Sequence, residues 1–169
     1  MVFQTPNSQR PNYRHAERMA LQILRDHAID EPPVNVVEIA REMGLNVYFV
    51  KLRGESDRIS GFYDGEEDAI YVNKSEYPLR QTWTIAHELG HKVLHEEWAK
   101  SSDYKVLLRD STEEKDFREQ EADAFAANLL MPRFLMDLYW EDMTHSQLSQ
   151  LFAVSVPAVK NRLSFLYGV

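Results

Sequence analysis

His87-Glu88-Leu89-Gly90-His91 decides how this chain is read. Side chains at i and i+4 share a helix face. On a helix, therefore, the two imidazoles stand one turn apart and can put ring nitrogens about 2.0–2.1 Å from one metal ion. Glu88 is offset by one residue, which keeps it out of the histidines' coordination position but close enough to act on a water at the metal. That is the placement of a general base, and the pentapeptide reads as a zinc hydrolase site. The flanks suit a helix. Tyr77-Pro78 can open one that carries Arg80, Thr84, His87, His91 and His95 on one face, beside an apolar stripe of Leu79, Trp83, Ala86, Gly90, Val93 and Leu94.

Composition narrows the chemistry. The chain has 169 residues, 44% of them hydrophobic, enough for one domain with a real core. Cysteine is absent, so there is neither a disulfide nor a thiolate zinc cluster, and any metal must be held by histidine and carboxylate. Residues 1–14 are polar and contain proline instead of an apolar signal core, and no run approaches membrane length. A cytoplasmic protein with no membrane association is the expectation. The net charge of −8 argues against indiscriminate nucleic-acid binding and is compatible with steering a basic partner.

Upstream of the pentapeptide, residues 14–27 have helical spacing through Ala16, Met19, Ala20, Ile23 and Leu24, and Asp30-Glu31-Pro32-Pro33 breaks it. A second helix is expected over residues 36–43, with Asn35 capping its start and Gly44 ending it. Three strand-like pieces follow, at 46–51, 59–63 and 69–73, the last two joined through an Asp64-Gly65 turn. Together they predict a small antiparallel sheet. Beyond Trp98, residues 100–115 read as a long polar surface loop that could border a substrate cleft.

Two histidines do not complete a zinc site. A metzincin pattern needs glycine at 94 and histidine at 97, and Leu94 and Glu97 remove that class. His95 would have to reach back by roughly one helical pitch, about 5.4 Å, and is a weaker candidate than the next helix, residues 117–131. There Glu119, Glu121 and Asp123 lie beside Ala122 and Ala126, small residues that permit close helix packing. Glu119 and Asp123 share a face, so one can bind the metal while the other accepts a hydrogen bond from a ligand histidine. Glu121 projects about 160–200° away from that pair. Glu119 is the preferred third ligand, Glu121 the alternative, and Asp123 the orienting carboxylate.

The stretch from Thr84 to His91, followed by Glu119-Gln120-Glu121-Ala122-Asp123-Ala124-Phe125-Ala126-Ala127-Asn128-Leu129-Leu130-Met131-Pro132, resembles the ImmA/IrrE family of metallopeptidases. The resemblance runs from about Ala20 to the C-terminus. It implies an α+β fold with a zincin-like, gluzincin-type core, a small antiparallel three-stranded sheet packed on helices, and a C-terminal helix-turn-helix-like tail. The whole would be one metallopeptidase domain: a flexible N-terminus over 1–13, the core over 14–132 and a helical subdomain over 133–169. One Zn²⁺ per chain would sit on His87, His91 and the carboxylate of the second motif, with Glu88 as catalytic base. The implied partner is a protein substrate, a helix-turn-helix transcriptional repressor, cut at a limited site. The alternative is a non-catalytic module that binds a regulator or DNA around a structural or vestigial metal, as in a toxin–antitoxin pair.

The oxyanion needs a donor besides the metal, for which Tyr104, Arg80 and His95 are candidates. An extended substrate could pair with residues 69–73 as an added strand, unless that segment is simply a core strand. Finally, residues 146–163 scan as helix, turn, helix. A DNA-binding reading would place Lys160, Asn161 and Arg162 outward in a major groove. Few basic residues, an acidic chain and the apolar Leu148, Leu151, Phe152, Val159 and Leu163 argue instead for packing or partner contact.

Overall fold

The computed structural model describes residues 9–54, 59–102, 104 and 116–169. Among them the chain is α+β, with eight helices and one three-stranded sheet. The first helix, α1 (Tyr13–Asp26), buries Ala16, Ala20, Ile23 and Leu24 of the stripe its spacing predicted, with Met19 half-buried beside them, and Asn12 caps it by accepting the His15 N–H. Helix α2 (Val36–Glu42) starts where Asn35 accepts the Glu38 N–H, and the chain leaves it through Gly44 at φ +88°.

The sheet corrects an expectation. Strands β1 (Asn46–Val50), β2 (Gly61–Asp64) and β3 (Ala69–Asn73) lie in the order β1-β3-β2. β2 and β3 form the expected antiparallel pair, but β1 runs parallel to β3, so the sheet is mixed. Hydrophobic alternation sets which face of a strand is buried and is silent on its direction. β3 is therefore central, paired on both sides, and has no free edge for an added strand. The β2–β3 connection is also longer than a two-residue turn: residues 65–68 form it, Asp64 accepts the N–H groups of Glu66 and Glu67, and Asp68 takes φ +48°.

Helix α3 (Pro78–Leu94) carries the pentapeptide, with proline at its first position, where a missing N–H costs nothing. It ends before His95, which caps it and leads into the short α4 (Glu96–Ala99). Helix α5 (Phe117–Leu130) packs along α3 and α1, and the sheet covers another side of α3. The rest is helical: α6 (Arg133–Tyr139), α7 (His145–Phe152) and α8 (Val156–Tyr167). A Thr144–Gln147 capping box opens α7, and left-handed Ala153 turns the chain into α8. Of the polar loop expected at 100–115 and the N-terminus expected at 1–13, residues 103, 105–115 and 1–8 lie outside the described part.

Candidate metal centre

The centre is set by one close helix contact. A Cβ on Gly90 would lie 3.3 Å from the Ala122 Cα and 3.1 Å from the Phe125 ring, so α3 and α5 approach as closely as they do because position 90 has no side chain. His87 and His91 sit three residues before and one after Gly90. Glu119 and Asp123 sit three before and one after Ala122. The same offsets on both helices bring the four polar side chains into register across the contact.

Three of them converge. His87 Nε2 lies 3.1 Å from His91 Nε2, 2.9 Å from one Glu119 oxygen, and the other Glu119 oxygen lies 2.8 Å from His91 Nε2. Asp123 lies behind His87, its Oδ1 2.9 Å from Nδ1. Two imidazole nitrogens 3.1 Å apart, each held on its far side, are unfavourable neighbours unless a proton or a cation lies between them. Ligand atoms about 2.0–2.1 Å from a tetrahedral zinc are about 3.3–3.4 Å apart, so the three atoms need to spread by only a few tenths of an ångström. His87, His91 and Glu119 are the group among the described residues that could hold a metal ion.

The electrostatics agree. Burial works to depress the His87 pKa, yet Asp123 and Glu119 outweigh it and push it up to about 10. Burial works to raise Glu119, but hydrogen bonds to His87 and His91 hold it far below the usual carboxylate range. A site that so favours a positive charge, at a donor set of two imidazoles and one carboxylate, suits a divalent cation.

Glu88 stands next to the cluster, 5% exposed, and burial pushes its pKa above the ordinary value against the opposing pull of His91, His87 and Tyr104. Tyr104 donates to Glu88 Oε2 at 2.6 Å, while its hydroxyl oxygen accepts the Tyr63 N–H at 2.9 Å. The β2 backbone thus fixes the tyrosine that fixes Glu88. Trp98 completes an aromatic wall with ring centroids 5.4 Å from His91 and 5.2 Å from Tyr104. A tyrosine and a tryptophan at the edge of a polar stretch were the only sequence signals for that wall.

The remaining candidates are placed elsewhere. Glu121 is outside the cluster: its Oε1 accepts the Asn12 N–H at 2.6 Å and its Oε2 faces His95 Nε2 at 2.6 Å. His95 lies behind His91, away from the convergence point, with its Nδ1 3.1 Å from His91 Nδ1. Arg80 donates to the Ser60 hydroxyl and pairs with Glu76 at 3.5 Å. In the tail, Arg162 points inward, against the DNA-binding reading that would place it outward; it is 5% exposed, while Lys160 and Asn161 are exposed.

A cleft of about 1350 Å³ opens onto His87 and Glu88. It runs past Ser60 and Gly61 at the start of β2 to Pro157, Asn161 and Phe165 of α8. Gly61 has no room for a side chain, since a Cβ would meet Tyr71 O and the Thr84 methyl; the strand lies directly on α3.

Peptidase M78, the IrrE N-terminal-like domain family, matches residues 40–164. The chain belongs to this family. That span holds the three strands, both site helices and most of the tail. Among solved structures, a Mycobacterium tuberculosis transcriptional regulator is similar in fold, with a TM-score of 0.63 at 19% identity. The likeness covers 89% of this chain and 46% of the regulator, so the chain spans about half the length of that protein. A search of curated proteins finds no match. Membership of a peptidase family agrees with a metallopeptidase-like fold around the cluster. No helix among the described residues is long and apolar enough to cross a membrane.

Proposed function

We propose that the protein is a zinc-dependent endopeptidase that cleaves a regulatory protein at a limited site, with a helix-turn-helix repressor as substrate and the cytoplasm as its place of action. The observation that carries this reading is the convergence of His87 Nε2, His91 Nε2 and Glu119 within 3.1 Å of one another beside a buried Glu88. Family membership and the fold shared with a transcriptional regulator support it.

His87, His91 and Glu119 would hold the ion, with Asp123 keeping the proton of His87 on Nδ1 so that Nε2 offers a lone pair. A zinc ion bound there would supply Lewis acidity, polarising the peptide carbonyl and acidifying a water. Glu88 takes the proton of that water on the carboxylate oxygen not held by Tyr104. The water oxygen adds to the carbonyl carbon, and Glu88 gives the proton to the amine as the C–N bond breaks. Burial, which raises its pKa, makes the Glu88 carboxylate a stronger base for that proton. Tyr104 acts on Glu88, keeping its carboxylate turned toward the reacting water. The substrate lies extended in the cleft past Ser60 and Gly61 at the start of β2, the outer strand of the sheet, short of Tyr63, whose N–H is already taken by Tyr104.

The test is co-expression with the helix-turn-helix regulator encoded nearest to the gene, read by mass spectrometry of the fragments. One discrete cut is expected, abolished by chelator and by Glu88→Gln, with the zinc content of that variant unchanged. A cut that survives in Glu88→Gln would sink the assignment. An intact regulator held in a chelator-insensitive complex would favour the non-catalytic module.

A further inference from the structure

His87 is oriented by one carboxylate, Asp123, in direct contact. Among the described residues, His91 has no carboxylate on its Nδ1. It is fully buried, and its Nδ1 meets His95 Nδ1 at 3.1 Å; His95 Nε2 in turn meets Glu121 Oε2 at 2.6 Å. The far oxygen of Glu121 accepts the backbone N–H of Asn12, the cap of α1, where the helix end favours an anion.

The protons in this row can be assigned from its outer end inward. The Glu121 carboxylate only accepts, so His95 carries its proton on Nε2. A neutral His95 then offers a lone pair at Nδ1, and the proton between the two rings belongs to His91 Nδ1. That leaves the lone pair of His91 on Nε2, the nitrogen that faces His87 and Glu119. The row is shielded, with the side chains of His95 and Glu121 only 7% and 11% exposed, so water competes weakly for these hydrogen bonds.

We propose that His95 and Glu121 are positioning residues of the metal centre, a two-step relay that holds His91 in the tautomer able to bind the ion and ties the start of α1 to the site. The inference rests on the metal-centre reading above. It gives two residues that the ligand set does not use a defined task. It also makes the two histidine ligands unequal, since one is oriented by a carboxylate directly and the other through an intervening imidazole.

The experiment uses the full chain loaded with zinc. With ¹⁵N-labelled histidine, NMR is expected to show His91 protonated at Nδ1 and His95 protonated at Nε2 with a bare Nδ1. Competition with a chromophoric chelator should show zinc binding about 10–100-fold weaker in His95→Ala, the usual cost of losing such a partner. His95→Asn places an amide oxygen near the lost Nδ1 acceptor and should recover most of that affinity, which a purely packing role would not predict. Glu121→Gln keeps an acceptor for His95 and should fall between wild type and His95→Ala. A proton found on His95 Nδ1, or His95→Ala binding zinc as tightly as wild type, overturns the relay while leaving the metal centre standing. Wild-type protein that binds no zinc overturns the metal centre and the relay with it. Should His95→Ala fail to fold, the NMR assignment on wild type and the Glu121→Gln affinity still decide.

Discussion

The α3–α5 pair and the α7–α8 tail each bury charged or ionisable side chains between helices, and they do so for opposite reasons. Between α3 and α5, His87, His91, Glu119 and Asp123 face one another, and their mutual contacts are satisfied best by an added positive charge. In the tail the buried charge is Arg162. Its Nε donates to Met131 O at 2.9 Å and its Nη2 to Asn128 Oδ1 at 2.8 Å, and the Asn128 amide donates on to Ala124 O. Burial pulls its pKa down to about 10, which leaves it charged at neutral pH. Arginine here fastens α8 to the end of α5, the helix that carries Glu119 and Asp123. A site is recognised by several ionisable groups that need a further partner, and a fastening by one that already has its partners.

The largest expected effect strikes the first region. His87→Ala should reduce bound zinc from about one ion per chain to near zero, because two ligands do not make the three-ligand site. Metal analysis of the purified variant reads this directly, and unchanged content would refute the site. The second region should respond in stability instead. Arg162→Leu leaves the Met131 carbonyl and the Asn128 oxygen short of donors in the interior, at about 2–4 kcal/mol for the two groups together. Urea unfolding would measure it, with zinc content expected to stay at one per chain. Loss of zinc in Arg162→Leu would break the comparison by showing that tail and centre are one unit.

Gly90→Ala tests the contact that builds the centre. Forcing a methyl against Ala122 and Phe125 costs about 1–3 kcal/mol, partly offset by the roughly 1 kcal/mol that alanine contributes over glycine in a helix. The expected net is a modest destabilisation, read by thermal unfolding, with weaker zinc binding as α3 and α5 are pushed apart. Stability lost with zinc affinity intact would mean that the four polar groups do not depend on this spacing.

These differences also explain what was legible in the chain. The grouping of His87, Glu88 and His91 is readable because it depends on spacing within one helix. The choice of Glu119 over Glu121 follows from helix faces, and in the structure Glu119 joins the cluster while Glu121 turns to His95 and Asn12. Asn35, Pro78 and Gly44 mark helix ends by local rules and hold those places. The parallel pairing of β1 with β3 is a long-range choice that no local pattern records. Arg162 turns inward for a carbonyl 31 residues away. The place of Tyr104 depends on a backbone N–H of β2, 41 residues away. Where a residue's partner is set by tertiary structure, its type and neighbours carry almost no signal.

The smallest expected effect lies on α3 itself, where Lys92 donates to Asp68 at 3.2 Å and to Glu96 at 2.5 Å. Hydrogen bonding to Lys92 is the main reason both carboxyls sit below their ordinary pKa. A carboxyl depressed in the folded state contributes stability above its unfolded pKa and loses it as pH falls through the folded one. Asp68 and Glu96 side chains are 54% and 40% exposed, so solvent screening limits the effect to no more than about 1 kcal/mol. In metal-free protein, wild type should therefore exceed Lys92→Met in stability at pH 7, and the gap should shrink as the pH drops below about 4, the unfolded carboxyl range. Added salt should shrink it at neutral pH as well. A gap as large as that of Arg162→Leu, or one that persists at pH 2, would mean that the outer face of α3 fastens the β2–β3 connection as firmly as Arg162 fastens the tail.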